Sequence, residues 1–225
     1  MKLPLCRQLV YLALGLTVAL ALTWFKVPAT IIPPVAPFDR VTVHVVETGL
    51  HARLVLPLGD RWVQYGFGDW DYYALNRQDF YHAAKALILP TPGALGWGDI
   101  ASLRQFRTVL EQHGGHFLSF DVSAAQTNRL TAVLRERIEG RGAGEYVYNP
   151  ATNLTLAQDG QTYSLLHNSN HELATWLKML HCRIDRLWLW REFRLASTRA
   201  AGGRFNQAIN YGLKPDLDLS WGLLP

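Results

Sequence analysis

Lys2 and Arg7 stand before a run from Gln8 to Phe25 that carries no charge. This stretch constrains the chain most, because it cannot sit exposed in water and is placed where export signals lie. A secretory signal core has about 7–15 apolar residues and a membrane span needs about 20. The run falls between the two. Basic residues on its N-terminal side predict that the N-terminus stays in the cytoplasm and the rest is exported. Ala29, with Val27 two positions before it, offers a cleavage point. Pro28 and the length of the run favour an uncleaved transmembrane helix instead. Residues 1–28 therefore read as a membrane anchor or signal segment, with the bacterial inner membrane as partner. Cys6 precedes the run, whereas a lipoprotein cysteine follows one.

Residues 29–38 read as a Pro-rich linker, with Pro33, Pro34 and Pro37 after Pro28. Residues 39–225 read as a periplasmic α+β domain. With 49% hydrophobic and 18% charged residues, the chain has enough apolar material for a packed core. Its net charge of +4 is small and interleaved with acidic residues, which argues against a nucleic-acid partner. Only Cys6 and Cys182 occur, so the exported domain holds no internal disulfide and relies on its core.

Val41, Val43 and Val45 alternate with Thr42, His44 and Val46, a strand pattern. "HARLVLP" and "RWVQYGF" continue it as an antiparallel meander around the turn "PLGD". "RQDFYHAAKALI" reads as helix and "LPTPGALGWGD" as loop. "FRTVLEQHGGHFLSFDV" reads as two strands joined at Gly114-Gly115, with helix the alternative for its first half. Ser123 and Gln126 have N-cap spacing before a helix carrying Leu130, Val133, Leu134 and Ile138. "NLTLAQDGQTYSLL" reads as a hairpin turning at Asp159-Gly160. Leu173, Trp176, Leu177 and Leu180 place a helix over about 170–181. The basic, aromatic end, with Arg183, Arg186, Trp188, Trp190, Arg191 and Arg194, reads as a further helix, either solvated or lying against anionic lipid. The fold class is α+β, an antiparallel sheet packed against helices, preceded by one N-terminal transmembrane helix.

Ser169 stands where the last apolar helix begins. Helix N-termini present unpaired N–H groups and partial positive charge, which stabilise an anionic nucleophile or a developing oxyanion. The same residue also forms Ser-x-x-Glu with Glu172, a capping box. A serine nucleophile requires a base. His51, entering a strand after Gly49, is the candidate, while His167 and His171 lie nearer in sequence. Gln64, on the next strand, or Asp69, at its end, would orient the imidazole. Cys182 lies at a helix C-terminus, where the dipole disfavours a thiolate, and reads as a buried small side chain. His44, His51, His113 and His116 make no recognisable metal motif, so neither a metal nor another cofactor is expected.

The segments "VVETGLHARLVLP", "WVQYGFGDWDYY" and "YSLLHNSNHELATWL" resemble, in order, the signature blocks of bacterial domain-of-unknown-function family 2459, some of whose members are encoded near urease genes. Gly49 and His51 match its G-x-H element; Gly66, Gly68 and Asp69 match its G-x-G-D element. Asn168, Asn170 and His171 match a final element that usually contains Asn-Cys-Asn. That element is similar to the Asn-Cys-Glu-His motif of lecithin:retinol acyltransferase-like proteins, which are permuted papain-like domains. The resemblance implies such a fold, with an early-strand histidine serving a cysteine at a later helix start.

Ser169 occupies the cysteine position here. A hydroxyl is far less acidic than a thiol and needs a better-organised base and oxyanion hole. Two functions follow. One is an amide or ester hydrolase or acyltransferase, with Ser169 attacking, His51 taking its proton, Gln64 or Asp69 orienting His51, and Asn168, Asn170 and His171 contributing to binding. Its substrate would be an envelope peptide, lipid or acyl group. The other is an inactive envelope module that keeps the groove and binds without turnover.

Overall fold

The computed structural model describes residues 28–48, 51–140, 146–186 and 192–196, with 7, 13–15 and 17 before them. The chain divides into two units, Met1–Leu195 and Ala196–Pro225, and the elements described belong to the first. Most of the run from Gln8 to Phe25, Cys6, Gly49, Trp188, Trp190 and Arg191 lie outside the described residues. Among the described residues no helix is long and apolar enough to cross a membrane.

Among the described residues, ten strands and four α-helices beyond the N-terminal run make an α+β fold. The central sheet is antiparallel and seven-stranded, in the order β6-β2-β3-β4-β5-β8-β7. It is built from β2 (Arg40–Thr48), β3 (His51–Leu58), β4 (Arg61–Asp69), β5 (Thr91–Ile100), β6 (His116–Ser123), β7 (Val147–Asn149) and β8 (Leu154–Tyr163). The meander expected for β2, β3 and β4 is present, with Val45 opposite Leu54 and Leu54 opposite Tyr65. Helices α1 (Phe80–Ile88), α2 (Leu103–Gln112), α3 (Ala124–Glu139) and α4 (Ser169–Met179) complete the unit, with a π-helical turn at Trp70–Ala74.

Five expectations are corrected. Ala29–Ile32 is a strand, β1, and not linker; it lies between β9 (Arg183–Asp185) and β10 (Phe193–Leu195). Its β-branched residues favour extended backbone, and alternation turns Ala29 and Ile31 into the core. The short strands β9 and β10 also replace helix within the described part of the basic end. Within residues 89–99, expected as loop, β5 begins at Thr91 and runs on to Ile100, because its glycines admit neighbours that a side chain would exclude. A Cβ on Gly93 would stand 2.4 Å from the Gln161 carbonyl oxygen, and one on Gly98 2.5 Å from that of Asn153. No hairpin turns at Asp159-Gly160; β8 continues through both. Finally, Leu103–Gln112 is helix, the alternative reading. It ends at Gly114, whose φ of 72° suits the left-handed backbone beyond a helix C-terminus.

The two faces of the sheet have different covers. Val43, Val45, Ala52, Leu54, Leu56, Val63, Tyr65 and Phe67 pack with Leu130 and Leu134 of α3 and Leu173, Trp176 and Leu177 of α4. Side chains alternate along a strand, so His44, Val46, Arg53, Val55 and Gln64 project from the opposite face. There Val46 and Val55 pack on Leu110 of α2, and Tyr73 of the π turn joins Ala94, Leu154 and Leu156.

His44 lies on this second face between the rings of Trp62 and Phe117, with centroids 4.8 and 4.7 Å away. Burial, aided by the charge of Arg107, lowers its pKa to about 4. The fold thus prefers the neutral ring, while an unfolded chain takes up a proton near pH 6.5. Stability carried by this group is present above pH 6.5 and is lost as pH falls towards 4, by about 2–3 kcal/mol. Urea unfolding at pH 7 and 4.5 should show that loss in the wild type and a smaller one in His44→Phe.

Candidate functional site

The helix start is built on Asn168, not on Ser169. Asn168 is the N-cap of α4, and its Oδ1 accepts from the backbone N–H of Asn170 (3.0 Å) and His171 (3.3 Å). It also accepts from His171 Nδ1 at 2.9 Å, which leaves Nε2 without the proton in a neutral ring. Burial, with nearby His167 and Lys178, lowers the His171 pKa and favours that neutral form. Ser169 is the first helical residue and is 5% exposed; Asn170 is buried beside it.

The Ser169–Glu172 capping box does not form, because the Glu172 carboxylate is taken up elsewhere. Its Oε1 accepts from an Arg137 guanidinium N–H and from Trp176 Nε1 (2.8 Å), and its Oε2 meets His167 Nε2 at 3.1 Å. The other arm of Arg137 donates to Asp159. His167 Nδ1 meets the Thr162 carbonyl at 2.8 Å, so both ring nitrogens face acceptors. Arg137, His167 and the two carboxylates thus close on one another between α3, β8 and α4, with Arg137 bridging Glu172 and Asp159.

His51 is on the other side of the sheet. It pairs with Thr48 at the head of β3, and its neighbour Ala52 belongs to the core beneath α4. Its ring stacks on Tyr73, centroids 4.1 Å apart. Tyr73 in turn lies over Gly66 and Gly68, where added Cβ atoms would come within 2.8 Å of its hydroxyl and 2.4 Å of its ring. The two glycines of the "GFGD" segment therefore make room for Tyr73. The chain enters α4 through His167, whose ring packs on Phe67, a residue of the helix-covered face, at 5.3 Å. Among the described residues no hydrogen bond joins His51 to Ser169.

Neither expected orienting residue serves His51. Gln64 is fully buried, and its Oε1 accepts from Arg53 Nη1 at 2.9 Å while its Nε2 donates to the Asn153 carbonyl at 3.2 Å. Asp69 caps the π turn, its Oδ1 accepting from Tyr72 N at 2.6 Å. It lies on the helix-covered side near Tyr163, where burial, reinforced by the Asp69 charge, pushes the phenol to about 12. Cys182 is buried and its thiol is likewise pushed up to about 12, consistent with a space-filling role. No group of three metal-ligating side chains occurs among the described residues.

The face that carries His51 opens into a cavity of about 540 Å³. Arg53, His51, Gln78 and Thr152 supply polar groups to its wall, and Phe106 and Val109 of α2 an apolar side. Its volume suits a small molecule. Arg53 carried no role in the sequence reading. The available signal was a charged residue inside the otherwise apolar strand "HARLVLP", where alternation puts it on the face away from Ala52 and Leu54.

No family model matches the chain, and comparisons with curated proteins and with solved structures give no match either.

Proposed function

We propose that this is a binding module of the bacterial envelope, which takes a small ligand into the cavity beside His51 and performs no covalent chemistry on it. One observation carries the reading: among the described residues no hydrogen bond ties the Ser169 hydroxyl to a histidine, while His51 lines a cavity on the face opposite the one that packs on α4. A serine without a base in reach is a poor nucleophile. The cavity, by contrast, is on the His51 side and has the mixed apolar and polar wall of a ligand site.

The N-terminal segment would hold the module at the outer face of the inner membrane. Lys2 and Arg7 before the uncharged run support that orientation. A permuted papain-like ancestry rests on motif order, an early-strand histidine and a later polar helix start. On that reading the hydroxyl at position 169 marks chemistry that was lost.

A serine-directed fluorophosphonate probe tests the reading. The wild type should label no more than Ser169→Ala does, and the substitution should change stability by less than about 1 kcal/mol. Labelling that depends on Ser169 would restore the competing hydrolase or acyltransferase reading, in which the first turn of α4 holds the oxyanion.

A further inference from the structure

We propose that the cavity on the His51 face is an anion site, in which Arg53 receives the carboxylate or phosphate group of a small ligand whose apolar body lies against Phe106 and Val109. The inference deepens the binding-module reading and rests on it.

Arg53 projects from β3 and is 5% exposed. A guanidinium so placed normally faces a carboxylate, since burying an unmatched charge is costly. Here the two acceptors of its Nη1 are neutral, Gln64 Oε1 at 2.9 Å and the Thr152 carbonyl at 2.8 Å. Among the described residues its buried Nε has no hydrogen-bond partner. Among the described residues Arg53 makes no ion pair, and no Asp or Glu lines the cavity. The hydroxyl of Tyr73 is a second buried polar atom without a partner among the described residues. It lies over Gly66, and a Cβ there would meet that hydroxyl at 2.8 Å and Arg53 Cγ at 3.4 Å, so the two orphaned groups are close neighbours.

Gln64 is what leaves the charge open. A glutamate at the same place would neutralise Arg53 inside the fold. Glutamine instead holds the guanidinium in position with a dipole and leaves its charge for something that enters. The lining histidines, His51 and His113, add N–H groups of the same preference. Opposite them, Phe106 and Val109 offer an apolar wall. The combination matches an anionic head on a short hydrocarbon body better than a bare ion.

The test is calorimetric titration of the full chain in detergent with hexanoate, hexyl phosphate, inorganic phosphate and hexylammonium. Saturable binding of hexanoate or hexyl phosphate, tighter than inorganic phosphate and absent for hexylammonium, is expected. Which of the two binds decides between a carboxylate and a phosphate ligand. Arg53→Met should weaken binding at least about tenfold. Gln64→Glu, which supplies an internal counter-ion and keeps the shape of the side chain, should weaken it similarly while leaving the fold intact. No saturable binding to the wild type, or equal binding by wild type and Gln64→Glu, would overturn the anion site. If Ser169 stays unlabelled by the fluorophosphonate, that result removes the anion site alone; labelling of Ser169 with anion binding intact removes the non-catalytic reading alone.

Discussion

Arg137→Ala is expected to destabilise the unit by about 3–5 kcal/mol, because it strips the counter-ion from two buried carboxylates at once. The side chains of Glu172 and Asp159 are 1% and 4% exposed, and Arg137 bridges them. In a domain of this size such a loss lowers Tm by roughly 6–20 °C, which thermal unfolding followed by circular dichroism resolves easily. The penalty arises from stranded charge more than from a lost attraction. Combining Arg137→Met with Glu172→Gln and Asp159→Asn should therefore recover a large part of it. A loss below about 1 kcal/mol for Arg137→Ala would mean that the pair behaves as an exposed one.

Trp176→Ala should cost a similar amount, about 3–5 kcal/mol, through a cavity in the core. Trp176 is 1% exposed and packs with Leu173 and Leu177 of its own helix and the β3–β4 face beneath. It also donates to Glu172, so its removal leaves that carboxylate with one fewer donor. Trp176→Phe gives the intermediate case, since it keeps one aromatic ring in the core while losing the fused second ring and the indole N–H. Urea unfolding should rank the variants wild type, Phe, Ala. The anchoring of α4 thus combines an apolar stripe with a buried ion cluster, and this fixes Ser169 in a closed position.

Much of the fold was legible because its signals are local. The period-two alternation of Val41, Val43 and Val45 needs no partner to be read, and it marks β2 correctly. Ser123 accepts from the Gln126 N–H at 3.4 Å, as their spacing foretold. The stripe of Leu173, Trp176 and Leu177 gives α4 within two residues at each end. β5 was illegible because glycine and proline read as loop in isolation. Their purpose, the close approach of Gln161, Asn153 and Leu154, depends on β8, some sixty residues later. The same holds for the capping box. Ser169 and Glu172 had the right spacing, but Arg137 competes for the carboxylate from another helix and prevails with a full charge.

The candidate site shows the same division more sharply. By itself the sequence determined that His51 and Ala52 point to opposite faces of β3, that Arg53 shares the side of His51, and that a polar helix start follows at Asn168 to Asn170. These consequences come from backbone geometry, which is local. Only the tertiary structure decided which face α4 covers. It chose the face of Ala52, Leu54 and Leu56, because the apolar stripe of the helix must be buried against apolar side chains. That choice left Arg53 in the cavity with Gln64 as its only side-chain acceptor among the described residues.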